Sequence, residues 1–407
     1  MKTISVLLFF FLTITASAQY QSLQAPKTRT AYANQLNDSV SYEFILPKIA
    51  SLSAETKWPV YVVFDRQNKM GYSNTLHAID YLFFNAAIPD GIVIGISLPS
   101  DERRYHWTSH EATEGKADAF LSFVLDELPK WENMDLDNRF LTLVGHSRTA
   151  MFATYALFKR PERIHAVFAA STWNLESDGT PSKAQFLEAL PKIEALKSRR
   201  YFHFSSGGEK SGEGHEKPIL KLVETFKTSS LPSNLKWRFY HDENADHYTN
   251  YGLFVHQALS DIFVDYRTSL WDCFTLFSHS SDSIERIPWK EIDRIYEEKS
   301  ALFGFVIHPD LTFYNSIASG LSGNFANVKQ SKRNALVKEV LLKGMLAYPG
   351  DDGLPAWYAE VLIEEGNTVD AKIYLEKALK NVKGNLLYTE TEKREAEAYI
   401  REILQGL

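Results

Sequence analysis

The triplet Gly145-His146-Ser147 interrupts an otherwise apolar stretch, with Phe140-Leu-Thr-Leu-Val144 before it and Ala150-Met-Phe-Ala-Thr-Tyr-Ala-Leu157 after it. Leu141 to Val144 read as a buried parallel strand and Ala150 to Leu157 as a helix, so the serine falls at a strand–turn–helix junction. That junction is the setting of a nucleophile elbow. The sharp turn lifts the hydroxyl above the sheet, while the next residue's N–H, at the helix N-terminus, faces a developing oxyanion. Ser147 is the predicted nucleophile and the Arg148 N–H one predicted oxyanion donor. An ordinary helix-capping serine would occupy the same place, and one residue argues for that simpler reading. An elbow usually carries glycine two positions after the serine, and this chain has the β-branched Thr149.

A serine nucleophile needs a base within hydrogen-bond reach and a carboxylate behind that base. In the order nucleophile, acid, histidine, both partners must follow Ser147 in loops after later strands. His247, in His241-Asp-Glu-Asn-Ala-Asp-His247 and just before a helix, is the predicted base, with His241 as its rival. Glu209 is the first carboxylate after Arg200-Tyr-Phe-His-Phe-Ser205 and is the predicted acid, with Glu213, Glu216, Asp242 and Asp246 as alternatives. A second oxyanion N–H is expected near Arg66 or Gln67, in the loop after Pro59-Val-Tyr-Val-Val-Phe64. Arg104 and Trp173, in loops at the same edge of the sheet, are predicted to contact substrate. This is acyl transfer through a covalent ester and requires no cofactor. No cluster of residues has metal-ligand spacing.

The elements that must position these groups alternate. Ser39 to Leu46 reads as an antiparallel edge strand, Pro59 to Phe64 and Gly91 to Ser97 as buried strands, and Thr75 to Ala87 and Lys116 to Leu128 as helices. Ala166 to Ala170, Arg200 to Ser205 and Lys236 to Tyr240 supply further strands, and Leu253 to Tyr266 a closing helix. Tyr20 to Asn34 is expected to be an extended lead-in, and Asp101 to Thr108 a polar loop. The alternation predicts an α/β fold with a mostly parallel sheet flanked by helices. After residue 270 no strand is expected. Trp289–Leu302, Asn334–Leu346, Leu354–Glu365 and Ala371–Leu379 read as helices, and Trp357, Leu362, Gly366, Ala371 and Ala378 are spaced like one tetratricopeptide-type hairpin.

The 407 residues, 44% of them hydrophobic, suffice for two domains, placed at 19–268 and 269–407. The net charge of -7 leaves no basic footprint for nucleic acid. Met1-Lys2, the apolar run Val6 to Ile14 and Ala16-Ser17-Ala18 read as a secretory signal peptide, residues 1–18, cut before Gln19, so that the mature protein is expected to be periplasmic or secreted, with no membrane span. No cysteine follows the cleavage site for lipidation. Cys273, the one cysteine, cannot form an intrachain disulfide.

Taken together, Trp58 to Asp65, Ile88 to Ile96, Glu102-Arg-Arg104, Ala117 to Phe123, the elbow, Ala156 to Pro161, Ser171-Thr-Trp173 and the His247 loop resemble a family of α/β-hydrolases. It is the putative esterase family, which includes esterase D (S-formylglutathione hydrolase), enterochelin-type siderophore esterases and polysaccharide-linked feruloyl or acetyl esterases. The resemblance runs from about Ser39 to Tyr266. It implies an α/β-hydrolase fold, Ser147 as nucleophile, His247 as base, an acid near Glu209, and a small-molecule or saccharide-linked ester as substrate. Some members carry a helical-repeat tail, a surface suited to a protein partner. Two departures border the presumed oxyanion hole: Arg66 replaces the glycine usual after the aspartate matching Asp65, and Thr149-Ala150 replaces Gly-Gly. They support the alternative of a catalytically impaired binding protein. Arg66, Arg104 and Arg148 could also converge on the site mouth and favour an anionic ester, or could instead pair with carboxylates such as Glu111 or Glu114.

Overall fold

The computed structural model describes residues 21–55, 57–98, 100–110, 115–136, 139–172, 183–208, 216–267, 269–278, 286–323 and 329–407. The predicted signal peptide, Trp173, Glu209, Glu213, Glu111 and Glu114 lie outside these residues.

Eight strands form one sheet: β1 (Lys27–Ala33), β2 (Asp38–Ile45), β3 (Val60–Val63), β4 (Ile92–Ile96), β5 (Leu141–His146), β6 (Ala166–Ala170), β7 (Arg200–Gly207) and β8 (Leu235–Asp242). Their spatial order is β1-β2-β4-β3-β5-β6-β7-β8. The first two strands pair antiparallel with each other, and β2 pairs antiparallel with β4. From β4 to β8 every pairing is parallel. Strands β3 to β6 are buried along their whole length, which is why they read as continuous apolar runs. The lead-in is partly a strand: polar, mostly exposed β1 takes the edge, so β2 is an inner strand rather than the predicted edge.

Helices α1 (Lys69–Phe84), α2 (Asp101–Thr108), α3 (Ala117–Ser122), α4 (Leu128–Trp131), α5 (Arg148–Lys159), α6 (Lys183–Glu194), α7 (Glu216–Thr228) and α8 (Thr249–Ile262) cover the sheet. A π-helical turn, Phe123–Glu127, joins α3 to α4. The segment expected to be a polar loop is helical in α2. The Ser100 hydroxyl caps it by accepting from the Arg103 N–H, and Asp101 and Glu102 lie in its first turn, where negative charge suits the helix dipole.

After the short α9 (Val264–Arg267) the chain is helical: α10 (Ser269–Ser278), α11 (Trp289–Phe303), α12 (Leu311–Gly323), α13 (Gln330–Ala347), α14 (Gly353–Glu364), α15 (Thr368–Val382) and α16 (Glu390–Gly406). Helices α12 to α16 pack each on the next. The helical region shares a core with one face of the sheet. Tyr61, Phe83, Phe140 and Phe263 belong to one buried cluster with Phe303, Phe305, Tyr314 and Leu341. Backbone bonds cross the same boundary, from Arg199 N–H to the Leu302 carbonyl (2.9 Å) and from Ala54 N–H to the Ala347 carbonyl (2.8 Å). None of the described helices is long and apolar enough to cross a membrane.

Candidate active site

Strand order reverses between β3 and β5, and the crevice beyond the C-terminal ends of such neighbouring strands is where open α/β sheets bind ligands. Val63 is in register with Val144, so the residues that follow, Asp65 and His146-Ser147, emerge side by side. Ser147 has φ 58° and ψ -121°, a backbone that a residue with a Cβ adopts only at a cost of about 1–3 kcal/mol. Its N–H donates to the Ala170 carbonyl at 2.8 Å, and α5 begins at the next residue. Gly145 makes this turn possible. A Cβ there would lie 2.5 Å from the Thr149 carbonyl oxygen and 2.8 Å from the Ala150 nitrogen, so helix backbone packs directly on strand backbone.

His247 sits in the loop between β8 and α8, with its ring against that of His146, centroids 4.8 Å apart. Its carbonyl accepts from His146 Nε2 (2.7 Å), Ser171 Oγ (3.0 Å) and Asn250 Nδ2 (2.9 Å). Asn250, buried on α8, also donates to Ser171 Oγ at 2.6 Å and accepts from Ser205 Oγ at 2.7 Å. The ends of β5, β6, β7 and β8 are therefore tied together around the His247 backbone. Gly207 lets the loop close: a Cβ there would meet the carbonyl oxygens of Ala245 (2.4 Å) and Asp246 (2.6 Å).

The rival groups are engaged elsewhere. The His241 ring meets Ser206 Oγ at 3.0 Å through Nδ1 and the Glu216 carboxylate at 3.3 Å through Nε2. Asp246 caps α8, accepting from the Tyr248 and Thr249 N–H groups and the Thr249 hydroxyl. These bonds, those from Thr249 foremost, hold its carboxyl below the usual range. Asp242 accepts from the Asn244 N–H at 2.8 Å.

Two sequence expectations need correction. The Arg66 N–H donates to the Ile96 carbonyl at 3.0 Å, so it is not turned toward an oxyanion. Its guanidinium binds Glu43 (2.7 Å) and Ser41 (3.0 Å) on β2. Arg104 is engaged within the protein rather than free at the mouth. It grips Asp65 with two bonds, at 2.8 and 2.9 Å, and the His146 carbonyl with a third at 3.0 Å. Burial works against its charge, but the bonds to Asp65 and the carboxylate's charge outweigh burial and raise its pKa. Arg148 stacks on Tyr105, 4.2 Å from the ring centroid, and bonds Ser109 Oγ at 3.0 Å. The arginines thus do not form an anion clamp. Arg66 is paired with Glu43 and Arg104 with Asp65.

Residues 33–263 match the family described as "Putative esterase". The chain belongs to this esterase family. Among solved structures, an IroE-like serine hydrolase from Shewanella oneidensis is 16% identical, covers 78% of this chain and 98% of its own, and superposes with a TM-score of 0.59. An uncharacterised protein from Capnocytophaga ochracea, 12% identical, covers 93% of this chain and 100% of its own, with a TM-score of 0.55. The BES protein from Bacillus cereus is 16% identical over 62% of this chain and 98% of its own, with a TM-score of 0.50. These likenesses show the fold, and the second extends it over most of the helical region. No curated protein matches the chain.

The candidate site contains groups whose roles the sequence did not show. Asp65, at φ 60°, is a buried acceptor for Arg104, Gln67 Nε2 (2.8 Å) and Thr149 Oγ1 (2.7 Å). The Thr149 hydroxyl in turn accepts from the His146 N–H at 3.0 Å. Asp65 closing an apolar strand, and Asn250 three residues after His247, were the available signals.

Proposed function

We propose that this protein is an exported serine esterase that hydrolyses a carboxylic ester through an acyl-enzyme. The observation that carries the reading is the strained backbone of Ser147 at the β5–α5 junction, which the enclosing structure must over-determine. Ser147 attacks the ester carbonyl, and His247 takes its proton and passes it to the leaving alcohol. Glu209 is the acid behind His247. Supporting that role, the two residues before it, Gly207 and Gly208, pack on the Ala245, Asp246 and Glu243 backbone of the His247 loop, and Glu216, Asp242 and Asp246 have other partners. The Arg148 N–H and the Gln67 N–H receive the oxyanion. Export rests on the leader-like first 18 residues. Siderophore-type and saccharide-linked esters are the substrate classes to test, with Trp173 as a contact.

The test is hydrolysis of short p-nitrophenyl esters by the chain from Gln19, compared with Ser147→Ala, alongside labelling by a fluorophosphonate. Turnover and labelling that both vanish in Ser147→Ala are expected. Turnover that survives in the variant would overturn the assignment of the nucleophile.

A further inference from the structure

One carboxylate links the β3 loop, α2 and the start of α5 around the Ser147 turn. Asp65 Oδ1 accepts from Gln67 Nε2 and Arg104 Nε, both at 2.8 Å. Asp65 Oδ2 accepts from Arg104 Nη2 at 2.9 Å and Thr149 Oγ1 at 2.7 Å. From these four bonds the connections run outward. Gln67 Oε1 accepts from the Leu98 N–H at the end of β4 (2.8 Å). Arg104 Nη2 reaches the His146 carbonyl (3.0 Å), and Thr149 Oγ1 receives the His146 N–H (3.0 Å). Both backbone polar groups of the residue before the nucleophile are thereby held by side chains that Asp65 holds. Thr149 Oγ1 also lies 2.9 Å from the His146 carbonyl oxygen, but the hydroxyl has one proton, and a carboxylate is the stronger acceptor.

The position of Thr149 explains how the elbow dispenses with its usual glycine. The close approach of helix to strand is taken up at Gly145, where the backbone of Thr149 itself is the contact. The Thr149 side chain points instead toward Asp65 and is fully buried.

We infer that Thr149, Asp65 and Arg104 form a positioning latch that fixes the Ser147 turn, at the Arg148 donor, relative to the β3 loop that carries the Gln67 donor, so that Thr149 serves the reaction rather than impairing it. The inference rests on the esterase reading. An oxyanion emerges only in the transition state, so misplacing its donors lowers kcat more than it raises KM.

The experiment compares Thr149→Val, Thr149→Ser, Thr149→Gly and Arg104→Lys with wild type for p-nitrophenyl ester turnover, fluorophosphonate labelling rate and thermal melting. Thr149→Val keeps the shape but removes the hydroxyl. It should lose about 10–100-fold in kcat, the scale of a sub-ångström to ångström misplacement, with KM within about twofold. Thr149→Ser should restore turnover to within about threefold of wild type, and Thr149→Gly should behave like Thr149→Val although it recreates the commoner elbow. Arg104→Lys, which keeps the charge and loses the fork, should show the same kcat-selective loss and reads the latch independently if Thr149→Val folds poorly. Wild-type kcat in either Thr149→Val or Arg104→Lys, or in Thr149→Gly, would overturn the latch while leaving the esterase reading intact. A wild-type protein that neither turns over ester nor labels would overturn both.

Discussion

Phe140, the residue that leads into the nucleophile strand, lies edge-on to Phe303 at the end of α11, with ring centroids 5.7 Å apart. Both side chains are fully buried. The strand that leads into Ser147 therefore begins on a floor supplied by the helical region. Phe303→Ala should cost about 3–5 kcal/mol, as for other large aromatic truncations. A chain ending at Arg267 should not unfold cooperatively, because Phe140, Phe263 and Tyr201 lose their contacts with Phe303. Calorimetry of the intact protein should give one transition, and two well-separated transitions would contradict the shared core.

Gly145→Ala places a methyl 2.5 Å from the Thr149 carbonyl oxygen, against backbone that has no rotamer to change. We expect a loss of about 1–3 kcal/mol from overpacking, and a fall in turnover of at least about 100-fold as the Ser147 turn shifts. Urea melts and ester hydrolysis on the same preparation would measure both.

Asn250 holds the carbonyl of His247 and the hydroxyls of Ser171 and Ser205 from a buried position. Asn250→Leu leaves those groups short of a partner, at about 1–3 kcal/mol for an unsatisfied buried polar group. Activity should fall along with stability. An Asn250→Leu protein with unchanged urea midpoint and turnover would show that the tie is dispensable.

Two sets of buried groups give pH dependence of opposite sign. His165 and His203 are kept neutral, chiefly by burial and then by Arg200 and Arg238 respectively, with their pKa values pushed down to about 3 from 6.5. The unfolded chain protonates them first, so the stability they lend is present above pH 6.5 and is lost as pH falls toward 3. Asp90, in the contact between sheet and helical region, is pushed up from 3.8 to about 8, by burial first and the charge of Asp310 second. Its protonated form favours the fold below pH 3.8, and that contribution is lost as pH rises toward 8. Asp90→Asn should therefore raise the melting temperature relative to wild type at about pH 8 and change it least at about pH 4, measured by calorimetry across that range.

Much of this was legible in the sequence wherever one physical signal dominated. Continuous apolar runs marked β3 to β6 because both of their faces are covered, and the break at Gly145 marked the elbow because glycine is sterically required there. The polar edge strand β1 carried no such signal, since only Ala31 and Ala33 turn inward. Helix α2 was hidden by its polar surface, although Ser100 with Asp101 and Glu102 is a capping signature. Helices α12 and α16 were missed as well, the latter despite the reciprocal capping of Thr389 and Glu392. The roles of Arg104, Arg66 and Thr149 were beyond reach because each depends on a partner far away in sequence: Asp65 for Arg104 and Thr149, Glu43 for Arg66. A guanidinium near a site mouth looks the same on paper whether it waits for a ligand or is already bound to a carboxylate.

Cys273 is fully buried on α10, within the cluster that joins sheet and helical region, and burial pushes its thiol up to about 12. With no other thiol in the chain, the protein carries its own intrinsic clock for openings at this place. The rate at which a thiol reagent modifies the native protein counts the openings that uncover α10, with no engineered label.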